Sequence, residues 1–364
     1  MKAIICDISG INLWRRTSTI GGLGPIGSAL PQTPDSAPDL ARPLRANGIR
    51  VAPPASDLVS LLEHYGVGRE EGSLHLLVRR PTDRRCLRGV SCHVYGGHVP
   101  ARSLIPLGPR IPALKGVYVC SPDLLLVQMA FRDISDIEWL RLAMELCGSY
   151  RILEDGAHYN CPPVTGSGAV LRRADQLRSA KGSSRARSLA PWVLDNSASA
   201  AETDIALAVS LPYRLGGSGV GRPELNREIR LSPDARAIFG RESIKPDIML
   251  PARSKLGRPC PCEYESQEFH STLEQRSYDE RRRNTYSALG MSCFSIRSEH
   301  LKTDYAFETM VTAIRGVVGR RVRGLPERYG ERHARLLGEL LSSWRGRREQ
   351  DAVDWDLVDE EWPS

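Results

Sequence analysis

The sequence predicts a mixed α/β protein in which a C-terminal domain, built on a central mixed sheet flanked by helices, follows a smaller α+β region. Two observations carry this. Between residues 197 and 296 the elements run helix, strand, strand, strand, helix, strand, the order of a small mixed α/β layer structure. The 364 residues exceed one average domain, and an apolar fraction of 41% with a charged fraction of 26% is that of chains that bury cores.

Taken in order, residues 1–56 read as an irregular segment, with prolines from Pro25 to Pro54 breaking any periodicity. The α+β region and its linker, 57–190, open on a short helix over 57–65. Apolar runs at 74–78, 90–95 and 116–120 read as strands. Ser121-Pro122 supplies an N-cap and a first-turn proline for the next helix, and another runs from about 136 to 146 before Gly148. A helical pattern at 170–181 sits in a basic, Gly- and Ser-rich stretch that joins the halves. The domain at 191–323 begins with Ser199-Ala200-Ala201-Glu202, which matches a capping box and leads an apolar run that Pro212 stops. Strands are expected at 226–231, 246–250 and 262–265, then a charged helix over 271–289 capped by Gly290, and a strand over 291–296. Residues 216–221, rich in glycine, read as a turn because no strand precedes them and no Walker lysine follows. Amphipathic helices at 304–322 and 327–348 pack as a pair through Leu336, Leu337, Leu340 and Leu341. The last segment, 324–364, thus joins a basic helix to an acidic tail.

The charge is divided unevenly. Residues 349–364 hold seven acids and no lysine or arginine, so the rest of the chain carries +14 within a net charge of +7. A body this basic suits a polyanionic partner such as nucleic acid. No uncharged apolar run is long enough to span a membrane, and Asp7 interrupts the start where an export signal would continue. Nine scattered cysteines form no disulfide framework, and Cys260-Pro261-Cys262 lacks a second zinc-spaced pair. The cysteines read as small hydrophobes in a cytoplasmic chain.

Four acids fall in a suggestive order: Glu202 on a helix, Asp247 on one strand, and Glu263 with Glu265 on the next. A turn of the length between 247 and 263 brings Asp247 alongside Glu263, and alternation puts Glu263 and Glu265 on one face. Carboxylates gathered in one place repel unless a divalent cation lies between them, and hard oxygen donors suit Mg²⁺ or Mn²⁺. Each residue also has an ordinary reading: Glu202 as a cap, Asp247 as a turn acid, Glu263 and Glu265 as the wet side of an edge strand.

Pro246-Asp247, Glu263-Tyr264-Glu265-Ser266 with His270 behind, and Tyr278-Asp279-Glu280-Arg281-Arg282-Arg283 on a helix ending at Leu289-Gly290 resemble the PD-(D/E)XK nuclease superfamily, in the branch of very-short-patch-repair endonucleases and DUF559 domains. The resemblance covers about residues 197–300. It implies a restriction-endonuclease-like fold and Mg²⁺- or Mn²⁺-dependent hydrolysis of DNA phosphodiesters. Glu202, Asp247 and Glu263 would hold the ion, Glu265 would complete the acidic site, and His270 would assist as a proton shuttle. Arg281, Arg282 and Arg283 would contact phosphate, with an exposed, ion-paired helix face as the ordinary alternative. The chain departs from the motif in three places: Glu265 stands for its lysine or aspartate, Ser266 for its glycine, and His270 comes one residue late. The segment from Arg79 to Ala130 resembles the part that follows the winged helix in AbiEi-type antitoxin and regulator proteins, which implies a link to defence. A nuclease fold retained for DNA binding without cleavage is the competing expectation.

Overall fold

The computed structural model describes residues 3–16, 73–78, 81–84, 89–95, 99–107, 116–265, 273–321 and 327–345. The architecture is mixed α/β, and the chain divides into two compact units, Met1–Thr203 and Asp204–Ser364. Among the described residues no helix is long and apolar enough to cross a membrane. The helix expected at 57–65 and the acidic tail lie outside the described residues.

In the first unit, β1 (Ala3–Ile5) leads through Cys6 into α1 (Asp7–Arg15). Sequence patterning signals neither, because three residues are too few for alternation and α1 is buried on nearly every side. With β2 (Leu74–Val78), β3 (Val90–Val94), β4 (Leu104–Pro106) and β5 (Val117–Cys120) it forms a five-stranded sheet of order β3-β2-β1-β5-β4. The central β1 runs parallel to β5 and antiparallel to β2, and β2 runs parallel to β3.

Helix α2 (Pro122–Met129) starts at Ser121 with proline in its first turn, as the sequence predicts, and packs on α1. Helix α3 (Asp136–Cys147) opens on a complete capping box: Ser135 Oγ accepts from the Glu138 N–H at 3.0 Å, and the Glu138 carboxylate accepts from the Ser135 N–H at 2.6 Å. A hairpin of β6 (Tyr150–Leu153) and β7 (Gly156–Tyr159) follows, then α4 (Ser167–Gln176) and α5 (Ser183–Leu189). Arg151 on β6 is 1% exposed. Its guanidinium donates to the carbonyls of Glu145, Gly148, Tyr150 and Pro162, which replace the solvent it has lost. Buried Glu145 in turn takes a two-pronged ion pair from Arg15 at 2.8 and 2.7 Å, tying α1 to α3.

Helix α6 (Ala200–Ser210) spans the division between the units. In the second unit, β9 (Ile229–Arg230) lies within the strand expected over 226–231, and β8 (Glu224–Leu225) precedes that range. Asn226 takes φ 47°, a left-handed conformation that ends one strand before the next begins. After α7 (Pro233–Phe239), β10 (Ser243–Ile244) pairs with β9 in a separate ribbon. The main sheet has the order β13-β12-β11-β8, with β11 (Ile248–Leu250), β12 (Cys260–Glu265) and, beyond α8 (Leu273–Ala288), β13 (Phe294–Arg297). β12 runs antiparallel to β11 and parallel to β13. Helix α8 packs on α7 around Leu231, Ala235, Phe239, Ile244 and Tyr286. Helices α9 (Ser298–Leu301), α10 (Asp304–Val317), α11 (Gly330–Leu340) and α12 (Ser342–Arg345) complete the unit. The glycine-rich stretch at 216–221 is a turn, with Gly216 at φ 91° and no room for a Cβ at Gly217, which would meet the Leu211 carbonyl oxygen at 2.2 Å.

Candidate functional site

The pairing of Ile248 with Cys262 sets Asp247, one residue before β11, opposite Glu263 on β12. Asp247 Oδ2 accepts from the Tyr264 backbone N–H at 2.9 Å, and the Asp247 N–H points at Glu263 Oε2 at 3.4 Å. Glu263 is buried and Asp247 half-buried. Across from them, Arg282 and Tyr286 lie four residues apart on one face of α8, and both reach Glu263. Arg282 Nη2 stands 2.8 Å from Oε2, and the Tyr286 hydroxyl donates to Oε1 at 2.6 Å. Burial and the neighbouring Asp247 carboxylate push Glu263 up to about 8, against the opposing pull of Arg282 and Tyr286. Burial also raises Asp247, against the hydrogen bond from Tyr264.

The other expected site residues that are described have partners of their own. Glu265 forms an exposed ion pair with Arg297, its register partner on β13, at 3.0 Å. Glu202 belongs to the first unit, where its carboxylate accepts from the Ala198 N–H at 3.0 Å and the Ser199 hydroxyl at 3.1 Å, while Ser199 Oγ accepts from the Glu202 N–H. The bond to Ser199 Oγ is the cap that the Ser-x-x-Glu spacing predicts, while the carboxylate reaches the N–H of Ala198, one residue before the capping serine. His270 lies outside the described residues. The basic triplet divides: Arg281 and Arg283 are exposed, and Arg282 turns inward to Glu263 and to the Lys245 carbonyl, 2.6 Å away.

The first unit holds a group that sequence reading missed. Asp7, His75 and His93 bring ligand atoms within 4.8 Å of one another, and together they can hold a metal ion. His75 Nδ1 and His93 Nε2 are 2.7 Å apart, and the rings stack with centroids 4.9 Å apart. Asp7 Oδ1 lies 3.6 Å from His75 Nδ1, and Oδ2 lies 3.9 Å from His93 Nδ1. Arg132 holds Oδ1 at 2.7 Å. Three residues on three separated strands and turns give no spacing to read. The one available signal is that both histidines sit in apolar strands that pair in register, Leu77 opposite His93.

No family model, curated protein or solved structure matches this chain.

Proposed function

We propose that the second unit hydrolyses DNA phosphodiester bonds with Mg²⁺ or Mn²⁺ at Asp247 and Glu263. The observation that supports this most is the meeting of two carboxylates on neighbouring antiparallel strands, with Arg282 as the cation whose charge both feel. When both acids are ionised, one guanidinium leaves a negative charge unbalanced, and burial makes that charge expensive. A divalent cation balances it, and the donor set fits: hard carboxylate oxygens of a buried Glu263 and a half-buried Asp247 at the two inner strands of the sheet. When bound, such an ion supplies Lewis-acid polarisation of a phosphoryl oxygen and a more acidic water. Asp247 is the residue best placed to reach it, since Glu263 is already engaged at both oxygens. Tyr264 fixes the orientation of Asp247 through its backbone N–H, and exposed Arg281 and Arg283 offer charge to the DNA backbone.

A second reading has its own support. Arg282 and Tyr286 close on Glu263 as a metal-free lock, and Glu265 is spent on Arg297, which is what a DNA-binding domain that keeps the nuclease fold without cleaving would have. Incubation of supercoiled plasmid with Mg²⁺, Mn²⁺ or chelator separates the two. Metal-dependent nicking by the wild type, absent from a folded Asp247→Asn variant, is the expected result. DNA binding without nicking at any metal concentration supports the second reading, and nicking by Asp247→Asn at the wild-type rate removes the first.

A further inference from the structure

We infer that Asp7, His75 and His93 form a site for one divalent ion of the zinc class, distinct from the acidic pair and with a coordination position open to solvent. The chemistry of the donors sets the class. Two imidazoles and one carboxylate suit borderline first-row ions such as Zn²⁺ or Co²⁺, whereas Mg²⁺ prefers oxygen alone. Ligand atoms around a tetrahedral zinc at roughly 2 Å stand about 3.3 Å apart. His75 Nδ1 stands 2.7 Å from His93 Nε2 and 3.6 Å from Asp7 Oδ1, and one ligand atom from each of the three residues lies within 4.8 Å of the others, so modest side-chain adjustments bring all three onto one ion.

The surroundings are built to hold the ligands in place. Asp7 sits at the turn from β1 into α1 with φ 55°, a left-handed conformation that only its neighbours can maintain. Its N–H donates to Gln128 Oε1 at 3.0 Å, and Oδ1 accepts from the Ile8 N–H and from Arg132, each at 2.7 Å. Those bonds hold one oxygen and turn Oδ2 toward His93, as outer partners do for a carboxylate that binds metal through a single oxygen. The His75 N–H donates to Ser9 Oγ at 3.1 Å, which anchors the strand beside α1.

Exposure gives the open position. The side chains of Asp7 and His75 are 8% and 6% exposed, and that of His93 is 39% exposed, so the site has one wet edge. Three protein ligands and one wet edge match sites that keep a water or small anion in the fourth position, in contrast to structural sites closed by four side chains.

The test uses the full chain, stripped with chelator and titrated with Co²⁺ as a spectroscopic stand-in for Zn²⁺. One equivalent is expected to give the visible bands of tetrahedral cobalt without the intense thiolate charge-transfer band that cysteine ligation would produce, any Co²⁺ at the acidic pair adding only the weak absorption of an oxygen-ligated ion. Azide should perturb those bands. Because His93 is the exposed ligand, His93→Ala should fold normally, as circular dichroism would verify, and bind Co²⁺ at least tenfold more weakly, since even outer partners cost that much. Asp247→Asn should show the same tetrahedral bands as the wild type, which keeps this site separable from the proposed nuclease centre. A thiolate band, no uptake by the wild type, or undiminished uptake by folded His93→Ala would overturn the assignment. Bands unmoved by azide would overturn the open position.

Discussion

Each unit buries a carboxylate against an arginine, yet the two places are balanced differently. Around Asp7 one acid faces one guanidinium, with Arg132 at 2.7 Å, and two imidazoles that can stay neutral complete the group. Burial lowers the pKa of His93, favouring the neutral, lone-pair form, although Asp7 opposes it. Around Glu263 two acids share Arg282, and the excess charge is carried as a proton or by a cation. The same pair of residue types therefore sits beside nitrogen donors in one unit and beside a second carboxylate in the other. What separates them is the count of acids per arginine and the neighbours that supply further donors.

Asp247→Asn gives the largest effect expected from this contrast: cleavage falls to background while the melting curve stays close to wild type. His93→Ala should leave cleavage unchanged, so equal losses in both variants would break the distinction between the sites. The arginines come next. Removing one partner of a buried ion pair costs about 3–5 kcal/mol. Arg282→Ala, which strands two acids, should reach about 3 kcal/mol at pH 8 by denaturant unfolding and less at pH 5, where Glu263 holds its proton. Arg132→Ala strands one acid and should cost about 2 kcal/mol, its side chain being 24% exposed.

The pH dependence of metal-free protein sharpens the comparison further, because the two groups have opposite signs. Glu263 is raised from 4.5 to about 8 on folding, so its contribution to stability is complete below pH 4.5 and is lost as pH rises toward 8. His93 is lowered from 6.5, so its contribution is present above pH 6.5 and is lost as pH falls below that value. Unfolding followed against pH in chelator should therefore show Glu263→Gln flattening the alkaline fall and His93→Gln flattening the acid one. A single variant that removed both slopes would mean one shared cause.

The smallest effect concerns Arg281 and Arg283. Replacing both with alanine should weaken DNA binding uniformly across sequences and reduce the slope of log affinity against log salt by about 2, roughly one per phosphate contact. An unchanged slope would return these two to an ordinary solvated helix face.

Much of this architecture is legible in the sequence where a local rule decides the outcome. The strands at 74–78 and 90–94, the Ser121-Pro122 helix start and the pairing of Asp247 with Glu263 follow from apolar runs, capping chemistry and strand alternation. Helix α1 escapes because it is buried too completely to show a polar face, and β8 with β9 because two-residue strands on either side of a left-handed Asn226 are too short to show alternation. Arg282 is visible in the basic triplet, but that it turns inward depends on its phase with Tyr286 against β12. The Asp7, His75 and His93 group depends on strand order, with β1 between β2 and β5, which no local pattern encodes.

The central claim, that Asp247 and Glu263 take a hard divalent cation, is tested most directly by titrating Mn²⁺ into His93→Ala and into His93→Ala/Asp247→Asn, with free Mn²⁺ followed by electron paramagnetic resonance. The His93→Ala background removes the nitrogen-rich site from the measurement. One Mn²⁺ per chain in the single variant, lost in the folded double variant, is the predicted result; equal uptake by both, or none by the single variant, would contradict it.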